Sequence, residues 1–480
     1  MKILMIAAEV TPLVKVGGLA DVVGALPAAL AAAGHDARIL IPRYGLLTDH
    51  GFGDEPTGLK MSVPWQGKSV AVELYRGHLP DSTTVIYTLA TDGMFDGGAY
   101  VSEPSPAGYR RQMERFVFFS WAATQLLPQL DWQPDIIHCH DWHAAGLVFF
   151  AKILGQPTPS VLTIHNIESQ GKWKASELFS WLGLKGKELP SLGVRDPFGD
   201  LNILQQAILN AAAVTTVSPT YARELRQPEL GFGLDGDLRS RAGGISGIVN
   251  GIDMARFNPQ ADPHIASHYS AATVADGKDA NRAALVKLYN WPEGRQPVLG
   301  MVSRLTAQKG VDLLAEVLPF WVLGGGRAVI LGTGQPELEQ RLVAVANQYP
   351  EAVHVQIGFD AGLAQQIYAG SDFFAMPSKF EPCGLGQLIA MRYGSLPIVR
   401  DTGGLHDTVV NLTQQPDRGT GLVFKDFAPI GFQEALAAAL QLWQKPDILQ
   451  AARRRAMQQD FSWTSSAAAY LRVYGHIKNR

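Results

Sequence analysis

Cysteine is scarce in this chain: only Cys139 and Cys383 occur in 480 residues, and they lie far apart. Two such residues in apolar or site-like contexts do not make a disulfide framework, and a reducing cytoplasm fits them. Charge is also sparse and nearly balanced, at 18% of residues and a net of -3. That balance gives no reason to expect nucleic acid or an anionic membrane as a partner. No apolar run is long enough to cross a membrane: Val22 to Gly34 is free of charge but too short, and it carries Pro27. The apolar start, Met1 to Ala8, is interrupted by Glu9 without a cleavage-like ending and reads as a first strand, not a signal peptide. Short repeats and low-complexity segments are missing too. What remains, 46% hydrophobic residues over 480 positions, describes a soluble globular protein of two or three domains. Ten Trp and thirteen Tyr suit sugar-binding surfaces, although most are expected to pack in cores.

Apolar strands alternate with amphipathic helices along the whole chain, which predicts α/β domains with doubly wound parallel sheets. In the first half the strands are Lys2–Ala8, Asp36–Ile41, Ile136–His138, Val161–Ile164 and Ala213–Val217, with Val70–Leu74 and Thr84–Leu89 as a hairpin pair. Helices fall at Leu19–Ala33, ended by Gly34, and at Arg110–Leu127. The second half repeats the plan with strands at Pro297–Val302, Ala328–Leu331, Val353–Ile357, Phe373–Met376, Leu396–Val399 and Gly421–Val423. Pro228–Gly244, rich in Gly and polar residues, reads as a loop, and the Gly-rich passage Gly243–Asn250 reads as the boundary. The expected domains are therefore 1–245 and 246–455. A terminal segment, 456–480, has an apolar helix face (Tyr470, Leu471, Tyr474) that returns to the first domain. Two such sheets facing across a cleft offer the default position for a ligand.

Polar clusters gather at the predicted C-terminal ends of strands, where open α/β sheets bind ligands. Ser378–Gln387 (SKFEPCGLGQ) joins a buried strand to a helix. The amides of Gly384, Leu385 and Gly386 would serve an anion there, and Glu381 is either a ligand carboxylate or a solvated one. Ser303–Gly310 (SRLTAQKG) puts Arg304 and Lys309 in one loop, a planar fork and a mobile point charge suited to phosphate. Asp401–Leu405 (DTGGL) adds a second amide-rich turn, with Thr402, Gly403 and Gly404. In the first half, Lys15–Asp21 (KVGGLAD) opens the first helix, and Gly17 and Gly18 allow close approach of backbone to an anion. His138–His143 (HCHDWH) holds three His and one Asp, but consecutive residues diverge, so a metal site is not expected. Asp141 is read as a hydroxyl acceptor or a helix N-cap. His165 ends the Val161–Ile164 strand, as a site residue or a satisfied structural one. Jointly the clusters describe a diphosphate compound held by the second sheet and polyols held by the first.

These motifs, together with VSPTYA at Val217–Ala222 and VNGID at Val249–Asp253, resemble the bacterial glycogen synthase and plant starch synthase family in order and over nearly the whole chain. Its members are retaining glucosyltransferases of the two-Rossmann (GT-B) type. The resemblance implies transfer of glucose from ADP-glucose to the non-reducing end of an α-1,4-glucan, glycogen or a maltooligosaccharide, in the cytoplasm and without a metal or other cofactor. It implies that Arg304 and Lys309 neutralise the leaving diphosphate and Glu381 holds the donor sugar. The His165 backbone carbonyl would face the anomeric carbon. Lys15, Gly17, Gly18, Asp21, Tyr100, Asp141 and Asn250 would line the sugar and phosphate site. Cys383, Gly384, Leu385, Thr402, Gly403 and Gly404 would surround the diphosphate, and Phe359 would stack on the base. The chain departs from the family pattern at Glu168-Ser169, Gln205, Gly386 and Phe359, and the Met94–Tyr100 segment is shorter. The alternative is a related retaining transferase that uses UDP-glucose or a short oligosaccharide acceptor. A near neighbour, the other large retaining GT-B group, often carries a ribose-binding Glu eight positions after the first, and Ile389 at that position argues against it.

Overall fold

A computed structural model describes residues 1–478 apart from positions 102, 104, 189 and 194–198. The chain divides into two units, residues 1–248 with 463–480, and residues 249–462.

The first unit is built on a nine-stranded sheet. Its strands are β1 (Lys2–Ile6), β2 (Asp36–Pro42), β3 (Glu55–Trp65), β4 (Lys68–His78), β5 (Val85–Ala90), β6 (Ile136–His140) and β7 (Ser160–Ile164), followed by β10 (Ala213–Thr216) and β11 (Ser246–Gly247). A separate antiparallel pair is formed by β8 (Lys172–Lys174) and β9 (Asp200–Asn202). The spatial order β11-β10-β7-β6-β1-β2-β5-β4-β3 reverses direction between β1 and β6. All pairs from β11 to β5 are parallel, and β4 and β3 close that edge antiparallel. The central strands read as unbroken apolar runs because helices cover both of their faces. The hairpin pair expected from sequence is β4 with β5, but β3 goes beyond it: Pro56, Gly58 and Pro64 disguise an edge strand, where missing donors are tolerated.

The second unit carries six parallel strands: β12 (Val298–Val302), β13 (Arg327–Gly332), β14 (Val353–Ile357), β15 (Phe373–Met376), β16 (Leu396–Arg400) and β17 (Leu422–Phe424). Their order, β14-β13-β12-β15-β16-β17, reverses between β12 and β15. Trp321, Phe373, Leu388 and Phe432 are fully buried in its core.

The terminal helix Trp463–Lys478 belongs to the first unit. Trp463, Tyr470, Tyr474 and Ile477 pack with Ile3, Met5, Leu26 and Leu30. The tyrosine hydroxyl of Tyr474 meets His138 Nδ1 at 2.8 Å. Two expectations need correction. Pro228–Gly244 is not all loop, since Asp235–Ser240 forms a short helix around buried Leu238. The sequence predicts a helix over Gly310–Pro319, ended by its proline, but the helix runs from Val311 to Leu323, because the apolar positions on its far side still bury Trp321.

Candidate functional site

In each unit the polar clusters sit at the strand ends flanking the reversal of strand order, the place where a crevice opens in a doubly wound sheet. In the second unit, the loops after β12 and β15 lie against each other. The Lys379 amide donates to Gln308 O at 2.8 Å. Gly310 adopts φ +68, and a Cβ there would come within 2.0 Å of Pro377 O, so only glycine allows this approach. Lys309 is thereby aimed at Glu381, with Nζ 2.6 Å from Oε2, and Ser378 Oγ donates to the same oxygen at 3.0 Å. Arg304, on the same loop as Lys309, is exposed.

The DTGGL turn joins this pair of loops. The Gly404 amide donates to Glu381 O at 3.0 Å, and a Cβ on Gly404 would fall 2.1 Å from Cys383 O. Thr402 is buried and immediately precedes the short helix Gly403–Thr408. Leu385 precedes the helix Gly386–Arg392, and Gly384 takes φ +74 beside the Gln387 side chain. Gln387 was not singled out from sequence, yet its Nε2 reaches Cys383 O, Gly384 O and Thr408 Oγ1 at 3.0 to 3.1 Å. It ties the two amide-bearing turns together. Burial pushes the Cys383 thiol up to about 12. Asn250 is buried nearby, with a backbone hydrogen bond to Cys383, and its Oδ1 has no partner. Phe359, just past β14, is 86% exposed, an open aromatic face.

In the first unit, the loop after β1 is organised by Glu9, which in the sequence marks only a break in an apolar run. Glu9 is 3% exposed, and its Oε2 accepts the amides of Val16 and Gly17 at 2.6 and 2.8 Å. Its Oε1 accepts the Tyr100 hydroxyl. The Gly17 amide is therefore turned inward, while Gly18 is exposed as the first residue of the helix Gly18–Ala32. Lys15 pairs with Asp21 at 2.7 Å on the outer side of the loop.

Asp141 is not a helix N-cap. It is the first residue of the helix Asp141–Ile153 at φ +55, and its Oδ1 turns to the amides of His165 and Asn166 at 2.6 and 3.4 Å. Burial raises its carboxyl to about 7, the two amides opposing and the Glu9 charge adding to the rise. The three histidines of HCHDWH diverge. His138 meets Thr163 and Tyr474, His140 Nδ1 lies 2.9 Å from His165 Nε2, and His143 packs against Phe116 and Tyr100. Burial drives the imidazoles of His138, His143 and His165 down to about 3, so they are neutral near pH 7.

Chemically, the second unit offers two cations, a gripped carboxylate and two glycine-rich turns, and contrary to expectation the Gly404 amide of the DTGGL turn is taken by Glu381 O and not left for an anion. The first offers a phenol and two buried carboxylates. Residues 2–240 match the family model for the starch synthase catalytic domain, and residues 290–456 match glycosyl transferases group 1. The chain is 39% identical to the glycogen synthase of Anoxybacillus flavithermus, covering 99% of this chain and 98% of that one. It is 40% identical to the glycogen synthase of Rhodospirillum rubrum at the same coverage. Among solved structures, the catalytic domain of starch synthase IV from Arabidopsis thaliana, bound to ADP and acarbose, matches with a TM-score of 0.90 and 34% identity, covering 100% of this chain and 99% of that one.

Proposed function

This chain belongs to the glycogen synthase and starch synthase family, and from that premise we propose that it transfers glucose from ADP-glucose to the non-reducing end of an α-1,4-glucan with retention of configuration. The observation that carries the reading is the Lys309–Glu381 pair where the loops after β12 and β15 meet, with Arg304 exposed on the same loop as Lys309.

Breaking a sugar–phosphate bond sends negative charge onto the leaving diphosphate and positive charge onto the anomeric carbon, so fixed opposite charges at both ends lower the barrier. Arg304 and Lys309 supply the positive charge for the leaving group, and the Gly384–Gly386 turn adds backbone donors at the start of the helix Gly386–Arg392. Lys309 is already held by Glu381, whose other oxygen remains for sugar hydroxyls. On the first unit, Asp141 holds the amide of Asn166, and in a trans peptide the His165 carbonyl must point the opposite way. That turns a partial negative charge away from Asp141, suited to stabilise an oxocarbenium-like carbon. Retention then follows from front-face attack, a phosphate oxygen taking the acceptor's proton. In this reading the two cations provide what a metal would otherwise bring to the diphosphate.

The reading extends to a cytoplasmic location, supported by two free, buried cysteines. Among the described residues no helix is long and apolar enough to cross a membrane. A transfer assay with radiolabelled ADP-glucose or UDP-glucose and glycogen as acceptor tests the proposal. Label entering glycogen from ADP-glucose is expected, and incorporation only from UDP-glucose, or from neither, overturns it.

A further inference from the structure

A buried carboxylate is costly unless its charge is hydrogen-bonded or paired, and among the described residues Glu9 is met by two backbone amides and a phenol and by no cation. An uncharged side chain could hold a loop at less cost, so a carboxylate at the end of the first strand, beside the reversal of strand order, calls for a reason. Its consequences for two neighbours supply one. By taking the Val16 and Gly17 amides, Glu9 fixes the backbone that presents Gly18 at the open start of a fifteen-residue helix. By taking the Tyr100 proton, it leaves the phenol oxygen able only to accept, and a sugar hydroxyl is the natural donor to it. The Tyr100 ring is held in place by His143 and Phe116, with centroids 5.1 and 6.1 Å away, so the oxygen's position is set from both ends.

Resting on the glucosyltransferase reading above, we propose that Glu9 is a positioning residue for the reaction: it holds the Val16–Gly18 backbone and makes Tyr100 an obligate acceptor for a hydroxyl of the bound sugar. Its carboxylate also helps keep the neighbouring Asp141 carboxyl raised, which places the two acids in one electrostatic unit.

The test uses the full chain carrying Glu9→Gln, Glu9→Ala, Tyr100→Phe or Glu9→Ala with Tyr100→Phe, assayed with ADP-glucose and glycogen alongside the thermal midpoint. Glu9→Gln keeps an oxygen for the two amides and is expected to lose no more than about tenfold in kcat/KM for the donor, whereas Glu9→Ala loses about a hundredfold. The loss should fall on kcat and the donor KM while the KM for glycogen stays within about twofold. Glu9→Ala and Tyr100→Phe should combine to less than the product of their separate losses, because they remove one shared arrangement. An active wild type with Glu9→Ala kinetics unchanged overturns the proposal. So do losses that multiply, or losses that follow the folded fraction alone. An inactive wild type would instead overturn the transferase reading, and the two failures are thereby distinct.

Discussion

Lys309 Nζ lies 2.6 Å from Glu381 Oε2, with the lysine side chain 18% exposed and the glutamate 5%. Each partner offsets the desolvation of the other, so removing one strands a buried charge. Lys309→Met should abolish most activity and lower unfolding free energy by about 2 kcal/mol, less than for a fully buried pair because the lysine keeps some water. Adding Glu381→Gln should recover stability without recovering activity. Urea titration alongside the transfer assay reads both, and parallel recovery of the two would contradict the assigned roles.

Arg304 differs, being exposed in the same loop. Arg304→Ala should cut turnover by about 10²- to 10³-fold, as expected for loss of one preorganised charge on the leaving group. The thermal midpoint should hardly move. Near-normal turnover would remove Arg304 from the mechanism.

The Asp141 carboxyl is raised from 3.8 to about 7, mainly by burial. A raised folded value means the contribution to stability is complete below 3.8 and gone once pH passes about 7, because the unfolded chain ionises first. Asp141→Asn should therefore gain stability relative to wild type as pH rises across that window. If the ionised form holds the His165 and Asn166 amides during catalysis, wild-type kcat/KM has an acid limb near 7 that Asp141→Asn flattens. A pH profile of both proteins decides, and an unchanged limb in the variant assigns it elsewhere.

Phe359 contacts water over 86% of its surface, so its truncation has no core to disturb. Phe359→Ala should raise the donor KM about tenfold through lost stacking on the base, with the glycogen KM unaltered. Equal donor KM values in variant and wild type would leave the exposed ring without that role.

Tyr474 bridges the last helix to His138 inside the first unit. Tyr474→Phe leaves the buried His138 Nδ1 without its partner and should cost about 1–2 kcal/mol in denaturant unfolding. Deleting residues 463–480 should do far worse, exposing Ile3, Leu26 and Leu30 together. A truncated chain that melts like the full one would show that the packing contributes little.

The positions of the strand-end loops were legible in the sequence because parallel strands buried on both faces are short apolar runs, and the loops interrupt them with Gly, Pro and charge. β3 was hidden because an edge strand tolerates Pro56, Gly58 and Pro64. The helix Asp235–Ser240 was hidden because six residues with one buried leucine have no period to detect.

By itself the sequence determined the two doubly wound units, the family and the set of charged residues at the strand ends, since those depend on local pattern and residue chemistry. Only the tertiary structure decided which partner each charge has. Glu9 and Tyr100 are ninety-one positions apart, and Lys309 and Glu381 are seventy-two. Hydrogen bonds across such separations are set by how strands are ordered in a sheet, a relation that no window along the chain contains.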